Sequence, residues 1–112
     1  MKTLITLILL LVTIVTGCNK TDTAKGTPQC VKKKIEEFDK TSSCDDAKVK
    51  EYEFQGGNVF VFEPGTCGAD MTSEVIDSGC STLGYLGGIS GNTKINGEEF
   101  SNAKFINMVW KK

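Results

Sequence analysis

Four cysteines, Cys30, Cys44, Cys67 and Cys80, restrict this chain more than any other feature, because if they pair they fix two cross-links within a short stretch. Their spacings of 14, 23 and 13 residues, with no histidine anywhere, do not match the closely spaced ligand pairs of a zinc site. An even number of thiols in a small exported domain reads instead as two disulfides. The fifth cysteine, Cys18, supplies the evidence for export. Lys2 precedes the apolar run Leu4-Ile5-Thr6-Leu7-Ile8-Leu9-Leu10-Leu11-Val12, and Val15-Thr16-Gly17-Cys18 closes it with small residues before a thiol. This is a lipoprotein signal in its required order. The run is too short to cross about 30 Å of hydrocarbon, which takes roughly 20 helical residues. Cleavage before Cys18 makes that residue the new N-terminus and the carrier of lipid, palmitate included, and so explains the odd cysteine.

Residues 1–17 are therefore read as signal peptide, 18–27 as lipidated cysteine and flexible tether, and 28–112 as one small domain. The 95 residues left after cleavage bury a modest fraction of their surface, so covalent staples add needed stability. Twelve lysines face fourteen acids in that mature chain, and there is no arginine. A basic face for nucleic acid is thus absent. The lack of histidine removes the commonest general base.

The tether is polar and aperiodic, with a root-mean-square reach of about 17 Å. Within it Asp22-Thr23-Ala24 is similar to a three-residue O-glycosylation signal of Bacteroidetes, but the reading as plain linker is favoured. Thr27 then serves as N-cap and Pro28 as first residue of a helix running to about Lys40. Val31, Ile35 and Phe38 form its apolar stripe. Lys32, Lys33 and Lys34 take the wet face and are offset by Glu36 and Glu37.

Residues 49–54 and 59–63 form a hairpin around Gly56-Gly57, with Phe54 facing Val59 and Tyr52 facing Val61. The helix is expected on the face of Tyr52, Phe54, Val59 and Val61. The opposite face carries Phe60 and Phe62 among glutamates, a candidate exposed apolar patch. Residues 72–77 form a third strand. Residues 80–97 are glycine-rich and read as one long loop, the candidate binding element, with Gly84, Tyr85, Leu86, Gly87, Gly88, Asn92 and Asn96 as its candidate contacts. Asn96 either tips a hairpin or caps a short helix to Ala103, the helix being favoured. A last strand over 104–110 puts Ile106, Met108 and Trp110 on one face.

Geometry ranks the three disulfide pairings. Cys44 and Cys67 flank the open end of the hairpin, while an antiparallel helix and the third strand bring Cys30 and Cys80 to the other end. Cys44–Cys67 with Cys30–Cys80 is favoured, and Cys30–Cys44 with Cys67–Cys80 comes second. Residues 92–103 fail as a calcium loop, since Lys94 and Ala103 occupy ligand positions three and twelve. Solvated carboxylates are the default for Asp70, Glu74, Asp77 and Glu98. Neither phosphate-cradling glycine pattern nor a nucleophile–base set is present, so no catalytic residue, metal or cofactor is assigned.

Cys30-Val31-Lys32-Lys33-Lys34-Ile35, Val49-x-Glu51-Tyr52-x-Phe54, Val59-Phe60-Val61-Phe62, Cys67-Gly68-Ala69-Asp70-Met71 and Leu86-Gly87-Gly88-Ile89-x-Gly91 resemble a family of small Bacteroidetes lipoproteins carrying a domain of unknown function. In many members of that family the Gly-Gly-Ile segment is followed by Gly-Asp-Gly and a further cysteine. Residues 91–97 here contain neither Asp nor Cys, so the resemblance implies an exported lipoprotein and supplies no activity.

The expected architecture is α+β, with one N-terminal amphipathic helix on an antiparallel sheet of about four strands, stapled by two disulfides. The expected role is a monomeric, non-enzymatic binding module, anchored by lipid on Cys18 to the cell envelope, with the outer membrane as the favoured site. It would contact an envelope or extracellular protein or glycan. The alternative is a small envelope hydrolase using carboxylates or lysine.

Overall fold

A computed structural model describes residues 21–112. The signal segment and Cys18 lie outside the described residues. Helix α1 spans Gln29–Thr41, followed by strands β1 (Lys48–Phe54), β2 (Gly57–Glu63), β3 (Thr72–Asp77) and β4 (Thr82–Gly87). Two short strands, β5 (Lys94–Ile95) and β6 (Glu98–Glu99), precede a 3-10 turn over Phe100–Asn102 and the long strand β7 (Lys104–Lys111). The fold is α+β but mostly β. Its main sheet has five strands in the order β4-β3-β2-β1-β7, every pair antiparallel, and β5 and β6 make a separate two-stranded ribbon. The helix is not at the chain's N-terminus, since residues 21–28 lead into it.

That lead-in is seated on the domain. The Ala24 N–H donates to the Val109 carbonyl at 2.8 Å, and Ala24 packs against the core. Thr27 turns its hydroxyl back to the Ala24 carbonyl at 2.6 Å, which leaves Pro28 rather than Thr27 at the N-cap of α1. The stripe is as expected: Val31 and Ile35 are fully buried and Phe38 partly so.

The hairpin forms around Gln55 and Gly56 instead of the two glycines. Both have positive φ, 52° and 79°, the pair of conformations that a two-residue type I′ turn demands. Gln55 is held there by its own side chain, whose amide donates to Glu98 Oε1 at 3.1 Å and accepts from Asn96 Nδ2 at 3.3 Å. Tyr52 consequently faces Val59 and Phe54 faces Gly57. A slip of two residues leaves each side chain on its expected face.

Which face the helix takes is the larger correction. Helix α1 covers Val49, Phe60, Phe62, Ile76 and Trp110. Phe60 and Phe62 are 1% and 2% exposed, so they are the floor of the helix-side core and not an exposed patch. The reverse face, with Phe54, Val59, Val61 and Val75, is covered by the crossover from β4 to β7, which sinks Ile95 into it and lays Phe100 and Ala103 beside it. Both faces of the hairpin are apolar because both are covered. Asn96 and Gly97 tip the β5–β6 ribbon with φ of 51° and 78°, so the favoured helix to Ala103 is replaced by a turn and a short 3-10 segment.

Strand β7 departs from simple alternation. Its register against β1 shifts twice, skipping Ile106 and Val109, so Val109 and Trp110 both enter the helix-side core while Ile106 and Met108 stay exposed. Two disulfides tie the layers: Cys30–Cys80 joins the start of α1 to the β3–β4 turn, and Cys44–Cys67 clamps the open end of the β1–β2 hairpin. Their Cα separations are 6.2 and 5.5 Å.

Candidate binding site

The glycine-rich stretch expected to be one loop is divided between scaffold elements. Gly84, Tyr85, Leu86 and Gly87 belong to edge strand β4. Pairing of Tyr85 with Glu74, and of Leu86 with Ser73, sends these two neighbours to opposite faces. Gly88 sits in the following turn at φ 76°, where a β-carbon would lie 2.8 Å from Thr72 Cγ2. Asn92 closes that turn: it exchanges backbone hydrogen bonds with Gly87, and its side-chain amide donates to the Tyr85 and Lys94 carbonyls at 2.6 and 2.8 Å. Asn96 is occupied at the tip of the ribbon. Of the seven expected contacts only Tyr85, 52% exposed, presents a large side chain to solvent.

Tyr85 stands at the mouth of a groove of about 350 Å³ between α1 and the β2–β4 edge. Phe62 and Phe38 form its floor, packed edge to face with centroids 5.3 Å apart. Lys34 lies over the Phe62 ring at 5.9 Å and pairs with Glu74 Oε1 at 3.2 Å, so the helix is tied to β3 across the groove. The other Glu74 oxygen accepts the Thr82 hydroxyl at 2.6 Å. Lys34 is thus not simply a solvated lysine of the wet face. Glu37, Thr41 and Thr72 complete the rim. An aromatic floor under a rim of hydroxyls and paired charges is suited to holding a ligand with both apolar and polar faces. Both Glu74 oxygens are thus engaged, one in an ion pair and one by a hydroxyl.

A second depression of about 470 Å³ lies on the reverse face, lined by Tyr52, Leu86, Phe100 and Glu99 among others. Tyr52 meets Phe100 and Phe105 edge to face at 5.0 and 5.6 Å. Burial pushes its phenol pKa above the usual tyrosine value.

The remaining carboxylates considered as ligands are dispersed. Asp77 Oδ1 accepts the Gly79 and Ser81 N–H groups, both at 2.9 Å, and Glu98 bonds Gln55 and Asn102. Among the described residues no three His, Cys, Asp or Glu side chains gather closely enough to hold a metal ion, and no helix is long and apolar enough to cross a membrane. Sequence reasoning missed Lys34, Phe38, Phe62 and Glu74 as neighbours of Tyr85. The i, i+4 spacing of Lys34 and Phe38 was legible, but their partners depend on which sheet face the helix covers.

A family model described as a domain of unknown function (DUF6970) matches residues 33–112. No curated protein sequence and no solved structure matches the chain.

Proposed function

Since the chain belongs to the DUF6970 family, whose function is unknown, its role has to be read from its own residues, and we propose a non-enzymatic binding module anchored to the cell envelope by lipid on Cys18. Two disulfides support an oxidising compartment such as the periplasm or cell exterior. The order of charge, apolar run and Val15-Thr16-Gly17-Cys18 supports lipidation, and the resemblance to Bacteroidetes lipoproteins agrees with it. The binding role rests on one observation, the aromatic-floored groove beside Tyr85 whose central acid is paired with Lys34 and hydrogen-bonded by Thr82. Its ligand is an envelope or extracellular glycan or protein segment that lays an apolar face against Tyr85 and the half-buried Phe38.

Intact mass of the protein taken from membranes, before and after reduction and alkylation, tests the anchor: a lipid-bearing chain beginning at Cys18 with four thiols released on reduction is expected. The same preparation is then screened on a glycan array beside Tyr85→Ala. Loss of the retained glycans in Tyr85→Ala at unchanged melting temperature supports the groove. Turnover of an arrayed glycan, abolished by Glu74→Gln, overturns the binding reading in favour of a hydrolase.

A further inference from the structure

Three of the five large apolar side chains left exposed among the described residues lie on one strand: Phe105 at 53%, Ile106 at 42% and Met108 at 39%. That strand, β7, is the outer edge of the sheet beyond β1. Lys104 and Lys111 flank the apolar trio, both exposed and neither within ion-pair distance of an acid among the described residues. Asp45 and Asp46 are the acids near its far end, beside Met108 and Lys111, and Asp46 is occupied by Thr66.

The position of the linker says what lies against this edge. Ala24 is hydrogen-bonded to Val109, the residue next to Met108. Ala24 is six positions after Cys18, a span that reaches at most about 20 Å. Phe105 is four residues along β7 from that contact, about 13 Å. A lipid on Cys18 therefore keeps Met108 within about 23 Å of the bilayer and Phe105 within about 33 Å.

We propose that the outer edge of β7 seats on the bilayer that holds the Cys18 lipid, with Phe105, Ile106 and Met108 entering the boundary between headgroups and acyl chains and Lys104 and Lys111 meeting anionic headgroups. This rests on the lipidation of Cys18 put forward above. An interfacial apolar strip with flanking lysines gains from both burial and charge. It also supplies the second contact that a lipid anchor uses to hold a domain in one orientation.

The test uses the membrane-purified protein in vesicles of phosphatidylcholine and phosphatidylglycerol with brominated acyl chains, comparing Phe105→Trp with Ile89→Trp. Ile89 is 89% exposed in the turn after β4, at the opposite sheet edge, and the buried Trp110 gives a common background. The Phe105→Trp chain is expected to lose most of its added emission, and the Ile89→Trp chain to keep it. Unquenched Phe105→Trp emission in vesicle-bound protein overturns the proposal, as does cross-linking of β7 to a second copy in place of lipid. Intact mass separates the two readings. If Cys18 proves unmodified, the Cys18→Ser chain is added to the same vesicles: quenching at position 105 upholds the surface without the anchor, and its absence overturns both.

Discussion

Ile95 occupies the space that a side chain at Gly84 would need: a β-carbon on Gly84 would lie 3.0 Å from Ile95 Cδ1, and Ile95 is 1% exposed. The crossover thus locks onto the sheet through a missing side chain on β4. Gly84→Val is expected to destabilise by about 1–3 kcal/mol through overpacking. Ile95→Ala empties the same site at about 2–5 kcal/mol. Urea unfolding of both, and of the double variant, checks the pairing: the double is expected to lose less than the sum of the singles.

Phe60 is a core residue, so Phe60→Ala is expected to lose about 3–5 kcal/mol. Ile89→Ser, on the turn after β4, is expected to stay within about 0.5 kcal/mol of the parent. Thermal melts of the two variants decide whether the hairpin's aromatic face is covered or open.

The cross-links close chains of different length. Replacing Cys30 and Cys80 by serine frees a separation of 50 residues, and replacing Cys44 and Cys67 frees one of 23. Loop-closure entropy alone gives losses of about 4 and about 3 kcal/mol respectively. Denaturant midpoints of the two double variants give the order.

Asp46 governs acid behaviour at the open end of the hairpin. Its carboxylate accepts the Thr66 hydroxyl at 2.5 Å and the Thr66 N–H at 3.1 Å, which hold it below the usual carboxylate range. A lowered folded pKa contributes stability above the unfolded pKa and loses it as pH falls through the folded one. Asp46→Asn is therefore expected to be less stable than the parent at neutral pH, with the gap closing at acid pH, as read by urea melts across a pH series. Gly65 adjoins this contact at φ 107°, and a β-carbon there would run into Asp46 Oδ1 and Cys44 Cβ. Gly65→Ala is expected to cost about 1–3 kcal/mol.

Much of this was legible in local patterns. The spacing of Val31, Ile35 and Phe38 gave the helix and its buried stripe, and alternation gave the hairpin and β3. The cysteine pairs followed from which ends those elements share. What stayed hidden was non-local. Strand β4 carries three large apolar residues, Leu83, Tyr85 and Leu86, among glycines that dilute the strand signal, and the missing side chain at 84 has meaning only once Ile95 lies across it. The cover on the reverse face comes from residues 92–103, so no reading of the hairpin alone could say that Phe60 and Phe62 face the helix. The candidate site was half visible for the same reason: Tyr85 was named, but Lys34, Phe62 and Glu74 converge on it only through the choice of face. The two bulges of β7 erased the alternation that Ile106, Met108 and Trp110 implied.

The neighbour of β1 across the sheet is β7, whereas β1 to β4 pair in sequence order. The four-strand meander can pair without residues 104–111, yet the contact of Ala24 stays incomplete until Val109 is in place. Seating of the residues before the helix is accordingly tied to the last strand of the sheet. A protease that nicks the crossover would therefore loosen both ends of the domain at once, the last strand and the residues that lead into the helix.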